Sequence, residues 1–581
     1  MGILRLFSYL SRRYNNIIKG YKNPYHKNKS THKIEKNDKI ENEYTPSCEI
    51  VLLDLNAIFH PCAQKVFEYG SGAEKKSLFL SQKKKAMSYE ELETIAFNTI
   101  CNKIDELVRV ANPSKCIYLA IDGVPGIAKQ SQQRQRRFRS AMNSKEKEEG
   151  DTVKPLGGFD PNCITTGTEF MARLCNHIYH FIKKKKRFEW SRLRIIYNNM
   201  FVPSEGEHKL VRYLDQNSYG SICIMSPDAD LIMLSLSLLT GHCLNTVVKE
   251  PKITILRENV FQHVDEDYLF VDTNQLKKNL IDDLNCVSMN FDFNNDLIIR
   301  DFVFFCFFIG NDFLPNVNSL EISNKGIEIL FKVYCDTWIE QGYLVKDVAK
   351  KFYINKEAMV LLLKNLASLE VKMLLDKADK GYAKYTDKVM NRHLIRDERG
   401  LNVKFESYKE DFYRTKFGFE KLSDAQLRRE IDKICEEYLL GMIFVLKYYF
   451  KSIPDFGWYY PYHYAPFFSD LTRVAEGFDF YSVKFQPRRP LTMYESLVGI
   501  MPPSSFHLLP ETLREELPKK IQLDADFLEE FEIDLDGKIN DYEAILLLPF
   551  LSYEKIKKLT QNIKLTEEEE KKSKIGTILM F

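Results

Sequence analysis

Acidic side chains recur in the first half of the sequence where short apolar runs end. Asp54 closes the run Glu49–Asp54, and Asp122 follows the run that begins at Cys116. The full set is Asp54, Asp122, Glu205, Glu207, Asp228, Asp230 and Asp312. A single acid after a strand is usually a helix cap or a turn residue. Recurrence at so many strand ends, twice as an acid-x-acid pair, is poorly explained in that way.

Ionised carboxylates that lie close together repel one another, and some would take up protons unless cations neutralised them. Mg²⁺, or Mn²⁺ in its place, is the natural partner because these hard ions prefer oxygen ligands. Two such ions about 4 Å apart can stabilise both the attacking and the leaving oxygen of a phosphodiester displacement. The acidic set therefore predicts a metal-dependent nuclease with two ions.

A basic stripe follows Asp122 after a short loop. Lys129, Gln133, Arg136 and Arg137 are spaced i, i+4, i+7 and i+8, so they share one face of a helix. Three cations and an amide can bind a doubly charged terminal phosphate, and arginine is suited to forked contacts. On an isolated helix, a solvated face would be the commoner explanation. Arg134 and Arg139 point elsewhere, toward an RNA backbone or toward solvent.

The elements that must position these groups alternate along the chain. Buried-strand patterns are found at 49–54, 116–122, 193–197 and 222–226, and helical patterns at 89–110, 129–147, 168–186 and 205–216. The alternation indicates an α/β fold with a mixed, largely parallel sheet and flanking helices, in which ligands bind beyond the carboxyl ends of the strands. Residues 1–20 are predicted to form one amphipathic basic helix, and residues 22–48 a loop or insertion. A mainly helical pattern begins at 346.

Composition excludes several classes of protein. With 581 residues, 44% of them hydrophobic, the chain is not mainly disordered. Its formal net charge of +2 means that a polyanion must be recognised by local clusters. Twelve cysteines without a C-x-x-C pair argue against a zinc ribbon or a disulfide scaffold. The most apolar run, 302–310, is too short to span a bilayer. We expect an intracellular monomer in the cytoplasm or nucleus.

Several motifs, in this order, resemble the XRN family of 5′→3′ exoribonucleases. They are DLNAIFH (54–60), DGVP (122–125), QQRQRRFR (132–139), FDPNCIT (159–165), EGEHK (205–209), DADLIM (228–233), FFIGNDFLP (307–315), WYYPYHYAP (458–466) and LLPF (547–550). The chain departs from the family pattern at Ile3-Leu4, at Thr166 where a proline is usual, and in a longer 22–48 segment. Because the sequence ends soon after the second conserved region, we expect it to lack the long C-terminal extension of the large cytoplasmic members and to resemble the compact nuclear or viral forms.

The resemblance implies a domain organisation. A catalytic α/β domain, similar to the core of PIN and flap nucleases, would span 1–345, followed by a helical connecting region over 346–430. A second conserved region over 431–565 would wall the active site, and 566–581 would be a charged tail.

The resemblance also implies roles for individual residues. The seven acids would hold the metals, and Lys129, Gln133, Arg136 and Arg137 would read a 5′-monophosphate. His60 matches the family histidine that stacks on the first base. Trp458 is the best match for its aromatic partner, with Phe456 as a possible substitute.

The function expected from these features is processive hydrolysis of single-stranded RNA that bears a 5′-monophosphate, with release of mononucleotides. Two alternatives remain open. A flap-type, structure-specific DNA nuclease would share the acidic residues but has no need to read a terminal phosphate. A catalytically inactive RNA-binding scaffold would have no need to maintain the full acidic set.

Overall fold

A computed structural model of the chain describes most of its length. The described residues are 3, 5–27, 34–36, 44, 46–70, 84, 86–149, 155–240, 250–259, 266–284, 293–348, 351–380, 387–398, 400–521, 524–528, 530–538 and 543–581. Within them, no helix is both long enough and apolar enough to cross a membrane.

An eight-stranded sheet forms the centre of the α/β part. Its strands are β1 (Ile18–Tyr21), β2 (Cys48–Asp54), β3 (Pro113–Ala120), β4 (Arg194–Asn198), β5 (Ser221–Met225), β6 (Lys252–Glu258), β7 (Tyr268–Asp272) and β8 (Leu579–Met580). Their spatial order is β1-β7-β6-β5-β2-β3-β4-β8. The five strands from β6 to β4 run parallel, while β7, β1 and β8 add antiparallel edges. The predicted mixed, largely parallel sheet is confirmed.

The middle strand, β2, explains the position of the site. Ile50, Val51, Leu52 and Leu53 have no exposed surface, as expected for a parallel strand covered on both faces. From β2 the chain builds outward through β3 and β4, then returns to place β5 and β6 on the other side of β2. The strand order therefore reverses beside β2, and open α/β sheets bind ligands beyond the carboxyl ends of the strands at such a point.

Helices cover both faces of the sheet and make up most of the second half. In the α/β part they are α1 (Leu6–Arg13), α2 (Asn56–Phe67), α3 (Tyr89–Ala111), α4 (Ile127–Glu149), α5 (Glu169–Arg187), α6 (Gly206–Gln216), α7 (Asp230–Leu238) and α8 (Thr273–Leu284). They continue with α9 (Asn295–Phe305), α10 (Gly326–Gln341), α11 (Lys356–Lys380), α12 (Lys388–Asn391), α13 (Phe405–Lys416), α14 (Asp424–Phe450), α15 (Phe468–Ala475), α16 (Met493–Ile500), α17 (Glu511–Ile521), α18 (Tyr553–Thr560) and α19 (Glu567–Ser573).

Short antiparallel hairpins and 3₁₀ turns complete the described structure. The hairpins pair Tyr25–Lys27 with Ile34–Lys36, Val345–Val348 with Lys351–Ile354, Leu394–Asp397 with Gly400–Val403, and Ile533–Asp534 with Ile545–Leu546. The 3₁₀ turns are Asn15–Ile17, Leu156–Gly158, Pro161–Cys163, Cys306–Ile309, Ile322–Asn324, Pro503–Leu508 and Ala525–Phe527.

The four predicted strands and the four helices between them are confirmed to within about three residues at each end. The prediction of a single helix over 1–20 is wrong, because the helix ends at Arg13 and residues 18–21 form β1 on the edge of β7. Ile18 and Gly20 are weak helix formers, and pairing with β7 satisfies their backbone groups. Much of the predicted loop over 22–48 lies outside the described residues.

The second half of the chain packs against the carboxyl ends of the strands. The last turns of α14 share one hydrophobic core with α7 and β5. The backbone of the following segment joins the start of α4, where the N–H groups of Ile127 and Ala128 donate to the carbonyls of Phe456 and Trp458 at 2.8 and 3.2 Å. Residues more than 200 positions after β5 therefore close over the predicted site.

Candidate active site

The structure brings the seven predicted acids to the carboxyl ends of β2, β3 and β5. Asp54 ends β2, Asp122 lies two residues after β3, and Asp228 follows β5. The others are at the start of α6, the start of α7 and the loop after α9: Glu205, Glu207, Asp230 and Asp312. Five are almost completely buried, while Asp122 and Asp228 are partly exposed.

Gly206 allows two of these carboxylates to approach the first turn of α6. Its N–H donates to Asp122 Oδ1 at 2.6 Å. A Cβ atom at this position would lie 2.8 Å from Asp54 Oδ1 and 3.2 Å from Asp122 Oδ1, so any side chain would displace the acids. The positive end of the helix dipole also favours negative charge there.

Two tyrosines of α14 position acids from the other side of the site. The hydroxyl of Tyr448 donates to Glu205 Oε2 at 2.5 Å, and that of Tyr449 donates to Asp230 Oδ1 at 2.6 Å. Both rings are buried. Sequence reasoning missed these residues. The available signal was a pair of hydroxyl-bearing rings in an otherwise apolar helix end, which commonly reflects core packing alone.

Lys129 lies among the acids themselves. Its Nζ is 2.6 Å from Glu205 Oε1, 2.7 Å from Asp312 Oδ2 and 3.7 Å from Glu207 Oε1. Burial disfavours the ammonium, but Asp312 and Glu205 raise the pKa of Lys129 well above its usual value. The predicted phosphate ligand is therefore also a counter-ion of the acidic cluster.

One lysine does not neutralise the cluster. Burial and the charges of Asp122 and Asp228 raise the pKa of Asp54 well above its usual value. Burial, followed by Asp312, raises the pKa of Asp230 to about 6. Asp312 behaves oppositely: burial would raise its pKa, but the adjacent Lys129 holds it below the usual value. Further positive charge in the site would lower the free energy of the remaining ionised acids.

The donor set fits hard divalent cations, since it supplies only oxygen atoms and excess negative charge. In the present side-chain geometry, however, no three Asp, Glu, His or Cys residues of the described part surround one position suitable for an ion. The contacts above give the reason, because Lys129 lies between Glu205 and Asp312 while the two tyrosines hold Glu205 and Asp230. Loading the site with metal would require Lys129 and these carboxylates to turn.

The other predicted phosphate ligands extend from the same face of α4. Arg136 is exposed, Gln133 is partly exposed, and Arg137 donates from Nε to Thr165 Oγ1 at 2.7 Å. Burial and then Arg137 and Arg136 lower the pKa of His60 to about 4. His60 thus lies close to both guanidinium groups, so the structure brings the predicted stacking histidine to the phosphate-binding face.

Arg134 has buried structural contacts, so its interpretation as RNA-facing or solvent-facing is wrong, whereas Arg139 is partly exposed. The Arg134 side chain is buried, donates to the carbonyls of Gly499 and Asp526, and lies over the Phe138 ring at 4.3 Å. Arg139 donates to the carbonyl of Ala544. Both fasten α4 to the second half of the chain.

The two candidate aromatic partners of His60 differ in environment. Trp458 is 8% exposed and stacks on Phe444 with ring centroids 4.2 Å apart, so its ring belongs to the hydrophobic core. Phe456 is partly exposed, and its backbone lies against the Gly126–Ile127 start of α4. The structure therefore leaves Phe456 more accessible to a base than Trp458.

Comparison with known families agrees with this geometry. A family model described as "XRN 5'-3' exonuclease N-terminus" matches residues 1–259. A second, described as "Xrn1 helical domain", matches residues 291–405 and 377–581. The chain belongs to the XRN family.

Curated XRN proteins are similar over nearly the whole chain. Human 5'-3' exoribonuclease 1 is 27% identical over 93% of this chain and 34% of its own length. Saccharomyces cerevisiae 5'-3' exoribonuclease 1 is 26% identical over 100% of this chain and 44% of its own length. Gallus gallus 5'-3' exoribonuclease 2 is 26% identical over 100% of this chain and 72% of its own length. The chain thus spans about a third of the human relative and under half of the yeast one.

Proposed function

We propose that this XRN chain is a 5′→3′ exoribonuclease that hydrolyses single-stranded RNA bearing a 5′-monophosphate. The observation that carries the proposal is the convergence, at one edge of the sheet, of seven acids with the cationic face of α4 and with His60. The acids supply the chemistry of phosphodiester cleavage, and the cations supply recognition of a terminal phosphate.

In the proposed mechanism the seven acids would hold two Mg²⁺ ions, and such ions would supply an activated water and charge to stabilise the leaving oxygen. Tyr448 and Tyr449 keep Glu205 and Asp230 oriented toward the site. Lys129 links the two halves of the machinery, because its ammonium contacts the acids while its helix face continues to Gln133 and Arg136. Its ammonium balances the charge of Glu205 and Asp312 and would be available to the terminal phosphate if it turned along α4.

Gln133, Arg136 and Arg137 bind the 5′-monophosphate in this proposal. The bond to Thr165 fixes the Arg137 guanidinium, and Arg136 is exposed and free to reach an incoming phosphate. Fixed donors around a small site favour the 5′-monophosphate dianion over a capped end. A cap would clash with the site and leave the cationic side chains without a matching charge.

His60 and Phe456 hold the first base. Because the pKa of His60 is about 4, its ring is neutral near pH 7 and can stack on a base without carrying a charge. Phe456 replaces the predicted Trp458 in this role, since Trp458 is already stacked in the core. With the terminal phosphate and first base both held, the next phosphodiester faces the acids, and each cleavage produces a new 5′-phosphate that can advance by one nucleotide.

The two alternatives receive less support from the site. A flap-type DNA nuclease does not require the fixed Arg137 and exposed Arg136 beside a neutral stacking histidine. An inactive scaffold does not require buried tyrosines that orient individual carboxylates at an energetic cost in desolvation.

A substrate panel tests the proposal. The protein is incubated with Mg²⁺ and RNAs of one sequence that carry a 5′-monophosphate, a 5′-triphosphate or a cap, and in parallel with a flapped DNA. Release of mononucleotides from the monophosphate RNA alone supports the proposal. Cleavage of the DNA flap with intact RNA would overturn it, and binding of RNA without cleavage of any substrate would favour the scaffold.

A further inference from the structure

A cavity of about 280 Å³ lies on a second face of α4, next to the acidic cluster. Helix α4 contributes Ser131, Gln132 and Gln135 to its wall, and the loop that carries Asp312 closes one side. Gln132 donates to Asp312, so this pair separates the cavity from the acids. None of the roles proposed above uses the cavity.

Aromatic rings form the opposite wall. Phe550 stacks on His463 with ring centroids 4.6 Å apart and an interplanar angle of 29°. It also stacks on Tyr459, at 5.8 Å and 28°. This wall begins directly after the segment whose carbonyls, at Phe456 and Trp458, accept bonds from the start of α4. One chain segment therefore places Phe456 beside the start of α4 and Tyr459 at the cavity.

Two amides and an imidazole place unpaired polar atoms at the cavity. Gln132 Oε1, Asn311 Nδ2 and His463 Nδ1 are buried and have no hydrogen-bond partner. Burial lowers the pKa of His463 to about 4, so its ring is uncharged near neutral pH. Small rotations of these side chains would let a ligand with donors and acceptors satisfy atoms that are otherwise unpaired.

The charge of the wall restricts the ligand. Among the described residues that line the cavity there is no lysine or arginine, and the one acidic residue is Asp312. The lining offers no cation to hold a phosphate group, whereas a flat, neutral ring with polar edges would pack against the aromatic wall and bond to the amides. A purine or pyrimidine base has this chemistry, and the volume approaches that of a small-ligand pocket.

We propose that the cavity is a subsite for the neutral base of a nucleoside. This proposal rests on the proposed function. The cavity receives the base of the released mononucleotide while the phosphate of that nucleotide leaves the basic face of α4. The base would move from the His60–Phe456 position to the wall that carries Phe550. Departure of product and arrival of the next nucleotide would then use different parts of the site.

Calorimetric titration of the whole protein with adenosine, which lacks the phosphate, tests the subsite. We expect binding in about the millimolar range, weakened about 5- to 150-fold by Phe550→Ala and also reduced by Gln135→Ala. Phe188→Ala, which removes an exposed ring elsewhere, is the matched control and should bind like the unmodified protein. His60→Ala should retain adenosine binding at the cavity.

Two results would overturn the subsite: no adenosine binding by the unmodified protein, or binding lost in His60→Ala but unchanged in Phe550→Ala and Gln135→Ala. Kinetics on monophosphate RNA separate this proposal from the proposed function. We expect Phe550→Ala to preserve the rate of the first cleavage and to slow later product release. If the protein cleaves RNA but Phe550→Ala does not change adenosine binding, only the subsite is refuted. If adenosine binding depends on Phe550 but no RNA is cleaved, only the nuclease function is refuted.

Discussion

Replacing Tyr448 with phenylalanine tests whether the second half of the chain positions the acids. The change removes one oxygen from a buried ring, and with it the 2.5 Å hydrogen bond to Glu205, but leaves ring packing intact. A hydrogen bond to a charged group is worth about 1.5–3 kcal/mol. If Glu205 must be fixed for the reaction, kcat/KM should fall about 10- to 150-fold, since each 1.36 kcal/mol is a factor of ten.

The assay measures mononucleotide release from a monophosphate RNA across a range of Mg²⁺ concentrations, together with thermal unfolding. Tyr438→Phe is the control, because it lies on the same helix and donates to the carbonyl of Pro315 at 3.1 Å instead of to an acid. Tyr438→Phe should lose about 1 kcal/mol of unfolding free energy and Tyr448→Phe about 1.5–3 kcal/mol, but only Tyr448→Phe should lose activity. Equal activity of the two variants would refute the positioning role.

Other changes have distinct expected outcomes. Asp228→Ala should abolish turnover while RNA still binds in a filter assay, and surviving turnover would remove Asp228 from the metal ligands. Arg136→Ala should reduce the preference for a 5′-monophosphate over a 5′-triphosphate about tenfold or more in competition cleavage, since a charged contact is lost. Phe456→Ala should raise KM for short RNAs about 5- to 150-fold in steady-state kinetics. If KM rose only in Trp458→Phe, the stacking role would belong to Trp458. Burial raises the pKa of Glu370 to about 7, so the folded protein favours its protonated form. Between about pH 4.5 and 7 the side chain ionises in the unfolded protein but not in the folded one, so the unfolding free energy falls over this interval. Urea unfolding should show Glu370→Gln gaining about 3 kcal/mol relative to the unmodified protein over that interval, and a parallel pH profile would contradict the shift.

The sequence predicted the parts of the site that follow from local patterns. Buried strands and amphipathic helices are recognisable from periodicity, and acids at strand ends converge because parallel strands share an edge. The i, i+4, i+7 spacing likewise placed Gln133 and Arg136 on one face of α4. These features depend on neighbours within a few positions, so they can be predicted without knowledge of the tertiary fold.

The remaining features depend on long-range packing. The contact between Tyr448 and Glu205 joins residues 243 positions apart, and no local pattern distinguishes such a tyrosine from a core residue. The burial of Trp458 against Phe444 and the pairing of β1 with β7 have the same origin. Periodicity also could not show that Lys129 turns from the phosphate-binding face into the acidic cluster, because that position is decided by charge in three dimensions.

Directional cleavage by the acidic cluster is the central claim, and RNA labelled at one end tests it most directly. One monophosphate RNA is labelled on its 5′ nucleotide and a second on its 3′ nucleotide, and both are digested with Mg²⁺ or with chelator. We expect the 5′ label to appear at once as mononucleotide, the 3′ label to remain in long RNA until the end, and chelator to stop both reactions. Early release of the 3′ label, internal fragments, or cleavage that persists in chelator would contradict the account.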